Sequence, residues 1–565
     1  MCRMYSGGAD MADTYSIGID FGTLSARAMI FRTSDGHLMG ESVYAYPHGV
    51  MEEYLPDGTR LQGEYALQDP MDYLKALYHT IPSAVSSVGI SPEAISGIGV
   101  DFTSCSVLPI TKVGIPLCFD ENFRSNPNAY VKLWKHHGAK QYAKRINRVA
   151  SNAERWVRAC GGAVSPEWML PKVLQIVEEA PEVASAADMI LEAGDWIVYQ
   201  LCGNLIRNAA AAGFVANWRP DTGYASLSVL DSVHPGFSAF ISQKLRGPVL
   251  APGSFAGTLT QEMASRLNLP AGIPVAVAHM DAQSGFSALG VHEAGTMLAI
   301  MGTSTVYLVL DTEEKYVPGI GCVVKDGVIP GYFAYSAGQS CVGDGFAWVA
   351  ECCSSPEYQK EAASRGISMQ ELLSEKAQWQ KPGQHGLIML DWFNGNRSIL
   401  LDMDLSACFM GITLHTRPED LYRATIEASA FGARIIIENF QKHGVPVKRF
   451  CATGGIPAKN AMAMQLYADV LGMPVFVSSC ANGPALGAAI LGAVAGGVYS
   501  SVAAASSHMG QINPVPYEPD PAAHATYTEL YKEYTRLHDL FGRLKDPVMH
   551  HLKDIQRRAL EKEQV

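Results

Sequence analysis

Two short segments of this chain share one pattern. Residues 15–31 place an apolar run on either side of an Asp-x-Gly-Thr turn at Asp20, Gly22 and Thr23. Residues 296–310 place apolar runs on either side of Gly302-Thr303-Ser304. Each reads as a β-hairpin. A hairpin repeated about 280 residues later predicts two related α/β domains, each presenting a Gly-Thr turn. The length agrees, because 565 residues exceed the size at which one hydrophobic core stops growing.

The rest of the chain fills in that plan. A strand pair is expected near His37–Pro47, a helix over 70–88, and a strand from Ile95 to Asp101 that turns into Val107–Ile110. Residues 125–215 read mostly helical. The texture changes near Leu250, where Pro252-Gly253 marks a turn, and the run Val275–Ala278 follows. The division expected is an extension over 1–11, domains over 12–268 and 269–545, and a C-terminal helical tail over 546–565. A helix begins after Pro418, which suits a first helical turn.

Composition excludes several classes. The net charge of −12 is diffuse, whereas nucleic-acid partners select basic patches. The stretch Val470–Tyr517 lacks Asp, Glu, Lys and Arg, but its prolines and glycines mark a buried strand, loop and helix rather than a membrane span. The N-terminus has no long apolar h-region. The twelve cysteines form no C-x-x-C pair, and a reducing cytoplasm is the expected compartment.

The chemistry-bearing residues sit at turns. Gly22-Thr23 with Ser25, and Gly302-Thr303-Ser304, can offer backbone amides and hydroxyls to anionic oxygens. Asp20 can hold Mg²⁺ through water beside ATP phosphates; a plain hairpin with a capping Asp is the alternative. Gly454-Gly455 follows a strand and opens a slot for a base and ribose, with Asn460 on the helix beyond. Asp281 lies where an apolar strand gives way to a helix. It can take a proton from a hydroxyl attacking phosphorus, cap the helix, or do both. Asp101 is also at a strand end and can bind a sugar hydroxyl or fix the Phe102-to-Cys105 turn, and Phe102 and Thr103 beside it are expected to meet the substrate. Trp134, Trp168, Trp218 and Trp392 are candidates for packing on a sugar face, although core or interface packing is the stronger account of any one of them.

Together these pieces resemble the FGGY carbohydrate kinases. The most specific match is Ala407-Cys408-Phe409-Met410-Gly411-Ile412, followed after seven residues by Asp420 to Glu427. Gly18 to Thr23 with Arg27 resembles the first phosphate motif and Gly302-Thr303-Ser304 the second. Gly454-Gly455 falls at the adenosine motif and Asp281 at the catalytic base. Leu133 to His137, Glu167-Trp168, Ala337 to Ser340 and Asp391 to Gly395 are similar to the ribulokinase branch. The resemblance implies two ribonuclease H-like domains flanking a catalytic cleft. It also implies ATP and Mg²⁺ as cofactors, and phosphoryl transfer to a ketopentose, L-ribulose above others, in arabinose catabolism. The expected partners are a small sugar and ATP, with no nucleic acid and no membrane; a homodimer is left open.

Two positions depart from that branch. Val215 stands where it has Lys, and Ser336 where it has Glu; both family residues are thought to touch the sugar. Losing them removes hydrogen bonds that select hydroxyl stereochemistry, so another ketose or polyol (D-ribulose, xylulose, ribitol, erythritol) is the alternative substrate. A catalytically idle sugar sensor and an actin-like or chaperone-like ATPase are the alternatives from other classes. Retention of Asp20, Asp281 and both Gly-Thr turns argues against the first, and the Ala407–Glu427 signature against the second.

Overall fold

The computed structural model describes residues 13–61, 63–150, 154–544 and 548–561. Both hairpins form. Tyr15–Phe21 pairs antiparallel with Ser25–Arg32, and Thr296–Met301 with Thr305–Asp311. Each first strand is also the seam where its sheet turns parallel, against Ile95–Phe102 in one case and Arg449–Thr453 in the other. Strands so enclosed on both faces need near-continuous apolar runs, which is how both read.

The first sheet runs Phe255–Thr258, Pro274–Ala276, Ile95–Phe102, Tyr15–Phe21, Ser25–Arg32, Leu38–Ala45, with His279–Met280 added along Ile95–Phe102. The second runs Cys322–Lys325, Phe333–Gln339, Thr305–Asp311, Thr296–Met301, Arg449–Thr453, Val475–Val477. The two α/β domains of ribonuclease H-like type are therefore present, each an antiparallel ribbon continued into parallel strands.

Glycine sets how the halves meet. The helix Gly483–Ala495 belongs in sequence to the second half but lies on the first sheet. A Cβ at Gly99 would stand 1.8 Å from the Ala488 carbonyl oxygen, and one at Gly97 2.0 Å from that of Gly492. Only bare backbone allows that approach. The helix at the centre of the uncharged Ala/Gly-rich stretch is thus buried, while Val498 and Val515 further along it are exposed. Among the described residues no helix is long and apolar enough to cross a membrane.

Four expectations need correction. The boundary at 268–269 falls inside the first sheet, because Pro274–Ala276 and His279–Met280 both join it. The strand pair near His37–Pro47 is a single strand, Leu38–Ala45, since its partner is the preceding strand Ser25–Arg32. Residues 125–215 are helical but interrupted by the strands Val131–Lys132, Met189–Glu192 and Arg207–Asn208. Residues 524–562, expected as a charged helical tail on the surface, are only partly that: Pro521–Gly542 buries Tyr527, Tyr531, Tyr534 and His538, while Val548–Glu561 is mostly exposed. The extension over 1–11 lies outside the described residues.

Candidate active site

The two Gly-Thr turns close in similar ways. Gly22 N donates to Ser25 O at 3.0 Å, and Gly302 N to Ser304 O at 2.9 Å. The first turn is held from behind. Gln68 Nε2 donates to Thr23 O at 2.6 Å, Tyr73 Oη donates to Gln68 Oε1 at 2.7 Å, and Trp134 Nε1 donates to Thr23 Oγ1 at 3.2 Å. The second is clasped by the start of the helix Gly343–Cys352: Val342 N and Gly343 N donate to Thr303 O and Gly302 O at 2.8 and 3.0 Å. Gly302 and Thr303 stay exposed.

Gly454 fits against this second turn. It adopts φ +108°, and a Cβ there would lie 2.5 Å from Met301 O. The next residue, Gly455, has open space where its Cβ would be. A slot therefore opens beside the second turn at the end of Arg449–Thr453.

Three carboxyls gather at the strand ends of the first sheet. Asp20 and Asp101 are register partners on parallel strands. Arg27 lies opposite Asp20 in the hairpin, its Nε 3.4 Å from Asp20 Oδ2, a charge contact rather than a directed hydrogen bond. Burial raises the Asp20 carboxyl against the opposing pull of Arg27. Asp101 is fully buried, and neither of its oxygens has a protein donor. Burial, with the charges of Asp20 and Asp281, raises its carboxyl well above the usual carboxylate range. Asp281, partly exposed, is the first residue of the helix Asp281–Ser287. Burial raises its carboxyl to about 7, against a 2.7 Å hydrogen bond from Ala282 N; Asp20 adds to the rise. A carboxyl poised there can accept a proton near neutrality.

The helix carrying Asp281 is anchored on the inter-domain helix. Ser284 Oγ donates to Pro484 O at 2.9 Å, and a Cβ at Gly487 would lie 1.9 Å from Ser284 O. Asp281 is thus fixed to the element that joins the halves.

Other candidates fall elsewhere. Phe102, expected to meet substrate, is core: its ring stacks on Phe21 at 5.0 Å and meets Tyr73 edge-on. Neighbours on a strand point to opposite faces, so Asp101 and Phe102 cannot share a site. Thr103 is buried, with its hydroxyl 3.2 Å from that of Ser106. Asn460 spends its side chain on structure: it accepts from Ala463 N as a helix cap and reaches Ser374 and Tyr422. Trp168 is half-buried at the start of Met169–Glu179. Val215 is buried between the halves, and Ser336 is partly exposed on Phe333–Gln339. They flank Cys322, which is the register partner of Ser336 and lies 3.4 Å from Phe214 O.

The geometry adds residues the sequence did not offer. His279 is the register partner of Asp101, buried and lowered by burial to about 3, hence neutral. Lys172 Nζ donates to Cys105 O and Leu133 O, both at 2.7 Å, fixing the loop after Asp101 against the Trp134 segment. Glu167 meets His137 at 3.4 Å. The signature residues Arg423 and Glu427 lie away from the three carboxyls. Glu427 accepts from Arg423, Tyr527 and His385, bracing the helix Pro418–Lys442 against Pro521–Gly542.

Comparison with known proteins shows the family. The profile of the FGGY family of carbohydrate kinases, N-terminal domain, matches residues 15–290, and that of the C-terminal domain matches 297–496. The ribulokinase of Bacillus licheniformis is 45% identical over 539 residues, covering 94% of this chain and 98% of its own. That of Geobacillus thermodenitrificans is 43% identical over 550 residues, covering 96% and 97%. Among solved structures, a gluconate kinase from Lactobacillus acidophilus superposes with a TM-score of 0.78 at 18% identity, covering 94% of this chain and 99% of that one. A xylulose kinase from Rhodospirillum rubrum gives 0.77 at 21%, covering 93% and 98%. Two family profiles laid end to end, near-full-length relatives and the paired Gly-Thr turns lead to one conclusion: the chain belongs to the FGGY family of carbohydrate kinases and is an ATP-dependent sugar phosphotransferase.

Proposed function

We propose that the chain transfers the γ-phosphoryl group of ATP to the 5-hydroxyl of a ketopentose, L-ribulose, as in arabinose catabolism. The observation that carries the chemistry is Asp281: a partly exposed carboxyl raised to about 7, at a helix start beside Asp20 and Asp101. Full-length similarity to ribulokinases supports the sugar.

In this reading the Gly22-Thr23 and Gly302-Thr303 turns hold phosphate oxygens, and Gly454-Gly455 admits the adenosine. Asp281 takes the hydroxyl proton as the sugar oxygen attacks phosphorus. Asp20 is the residue that would hold Mg²⁺. The site suits a hydrated cation, because the Asp20 carboxyl is partly accessible, the Asp101 oxygens beside it have no protein partner, and a divalent charge there would draw both toward their ionised forms. Among the described residues no three His, Cys, Asp or Glu groups form a closed cage, so the cation would keep waters and ATP oxygens as ligands. When bound it neutralises charge on the phosphates. The cytoplasm is the proposed compartment.

A second reading rests on Val215 and Ser336. With an apolar side chain and a short hydroxyl where ribulokinases carry Lys and Glu, the site suits a different ketose or polyol. A coupled ADP-release assay with Mg-ATP decides between the two. Its panel holds L- and D-ribulose, L- and D-xylulose, ribitol, arabitol, erythritol and glycerol. Turnover on L-ribulose, lost in Asp281→Asn, upholds the first reading. Turnover only on another member upholds the second, and no turnover on any member overturns both.

A further inference from the structure

Away from the inter-domain helix, the halves meet along a second seam. Arg155 and Arg219 from the first half both bind Glu314 of the second. Arg155 Nε donates to Tyr316 Oη at 3.0 Å, and the Arg158 guanidinium lies over the same ring. Gly161, at φ +69°, presses on the second half so closely that a Cβ would stand 2.1 Å from Ile320 O. Between these contacts lie two thiols from opposite halves: Cys160, after the helix Arg155–Ala159, and Cys322, on the strand Cys322–Lys325.

We propose that Cys160 and Cys322 form a reversible disulfide that ties the two halves together and halts turnover. Their sulfurs are 3.1 Å apart, with Cys322 donating, so the bond needs an approach of about 1 Å. The two sulfurs are not equivalent. Cys160 Sγ accepts two hydrogen bonds, from the Cys322 thiol and from Asn217 Nδ2 at 2.8 Å. The Cys322 hydrogen points at Cys160, so Cys160 is the sulfur with a lone pair turned outward from its own proton. Asn217 is held for this contact as the left-handed cap of the helix Ala209–Ala216. Cys322 keeps its proton, because burial and its own hydrogen bond raise it. Cys160 is therefore the attacking sulfur and Cys322 the resolving one.

The oxidant is a peroxide. The Cys160 sulfur gives up its proton as it attacks one peroxide oxygen and breaks the O–O bond, giving a sulfenic acid and, once the departing oxygen takes up a proton, water. The Cys322 sulfur then attacks the sulfenic sulfur, losing its proton and expelling a second water. Two thiols are oxidised and one peroxide is reduced. Both sulfurs are buried, so peroxide enters when the halves part. Once formed, the bond keeps them from parting, and a kinase that must open and close each cycle stops. Ser336 is the register partner of Cys322, so the crosslink lies beside a residue the proposed function assigns to the sugar; the crosslink itself does not depend on that assignment.

The test uses full-length protein treated with hydrogen peroxide. Remaining thiols are then blocked with N-ethylmaleimide and digested peptides are mapped without reductant. The expected result is one peptide pair joining residues 160 and 322. ADP release should fall about tenfold and recover with dithiothreitol, and turnover in Cys322→Ser should resist peroxide. Failure to find that pair while exposed Cys352 is oxidised overturns the proposal. So does a pair that leaves turnover unchanged, or unaltered peroxide sensitivity in Cys322→Ser. Because mapping of the unsubstituted protein reads the bond directly, the outcome stands even if Cys322→Ser fails to fold or the sugar is misassigned.

Discussion

A Cβ on Gly454 would stand 2.5 Å from the carbonyl oxygen of Met301, at a φ of +108° that side chains rarely adopt. Met301 ends the strand leading into the second Gly-Thr turn, so the Gly454 slot, proposed for adenosine, and the turn proposed for phosphate share one close backbone contact. Gly454→Ala should strain that contact by about 1–3 kcal/mol. A lower thermal midpoint with a raised KM for ATP, and a KM for sugar that stays put, is the expected pattern. Unchanged values for both ATP and melting would mean the contact is not needed.

Asp281 links activity to pH. Its folded-state carboxyl is raised from 3.8 to about 7, and a base must be ionised to accept a proton. kcat/KM should therefore rise with pH through about 7 and level off above it. Stability runs the other way. The folded state holds a proton that the unfolded state gives up near 4, so this group's contribution is full below the unfolded value and is lost as pH rises through about 7. Asp281→Asn should cut kcat by about 10²–10⁴-fold yet melt higher than the unsubstituted protein at pH 8. A variant that melts lower at pH 8 would assign Asp281 to capping alone.

The Trp134 indole supports the Thr23 hydroxyl and is 38% exposed, so little core depends on it. Trp134→Phe removes the donor and keeps most of the ring. It should raise the KM for ATP by the worth of one hydrogen bond, about 0.5–1.5 kcal/mol or a few-fold, with melting nearly unchanged. A change in sugar KM alone would move Trp134 from the phosphate turn to the sugar.

Much of this site is legible in the sequence because turn chemistry is local. The Gly-Thr hairpins, the strand before Gly454 and the helix after Asp281 all depend on neighbours within a few residues. What the sequence hides is register between distant strands. Nothing near Asp20 says that Asp101 will be its partner, nor that His279 will sit beside Asp101. The assignment of Phe102 to the site was avoidable, since strand alternation already separates it from Asp101. The family signature shows the opposite effect: Arg423 and Glu427 stand out in the sequence, but the structure gives them a bracing role.

That brace makes a stability prediction. Glu427 is 2% exposed and serves Arg423, Tyr527 and His385 at once. Glu427→Ala leaves the Arg423 guanidinium buried without its carboxylate. The expected loss is about 3–5 kcal/mol, read as a lower denaturation midpoint, while the KM values of the surviving enzyme stay within error. A Glu427→Ala protein of normal stability with altered KM would return the signature to the site.

The two departures can be tested as a pair. Val215 is 4% exposed, so Val215→Lys alone puts an ammonium into the seam without a partner and should destabilise by several kcal/mol. Ser336 lies on the other side of Cys322, and Gly321 leaves room beside it: a Cβ at 321 would come within 2.5 Å of Ser336 Oγ. Ser336→Glu can therefore extend over Gly321 toward position 215. If the two positions face one sugar, the double variant should recover stability over Val215→Lys, with a coupling of at least about 1 kcal/mol. It should also shift kcat/KM toward L-ribulose relative to the other ketoses and polyols. Strict additivity in the double-mutant cycle, with an unmoved substrate preference, would separate the two positions and leave specificity to residues other than these two.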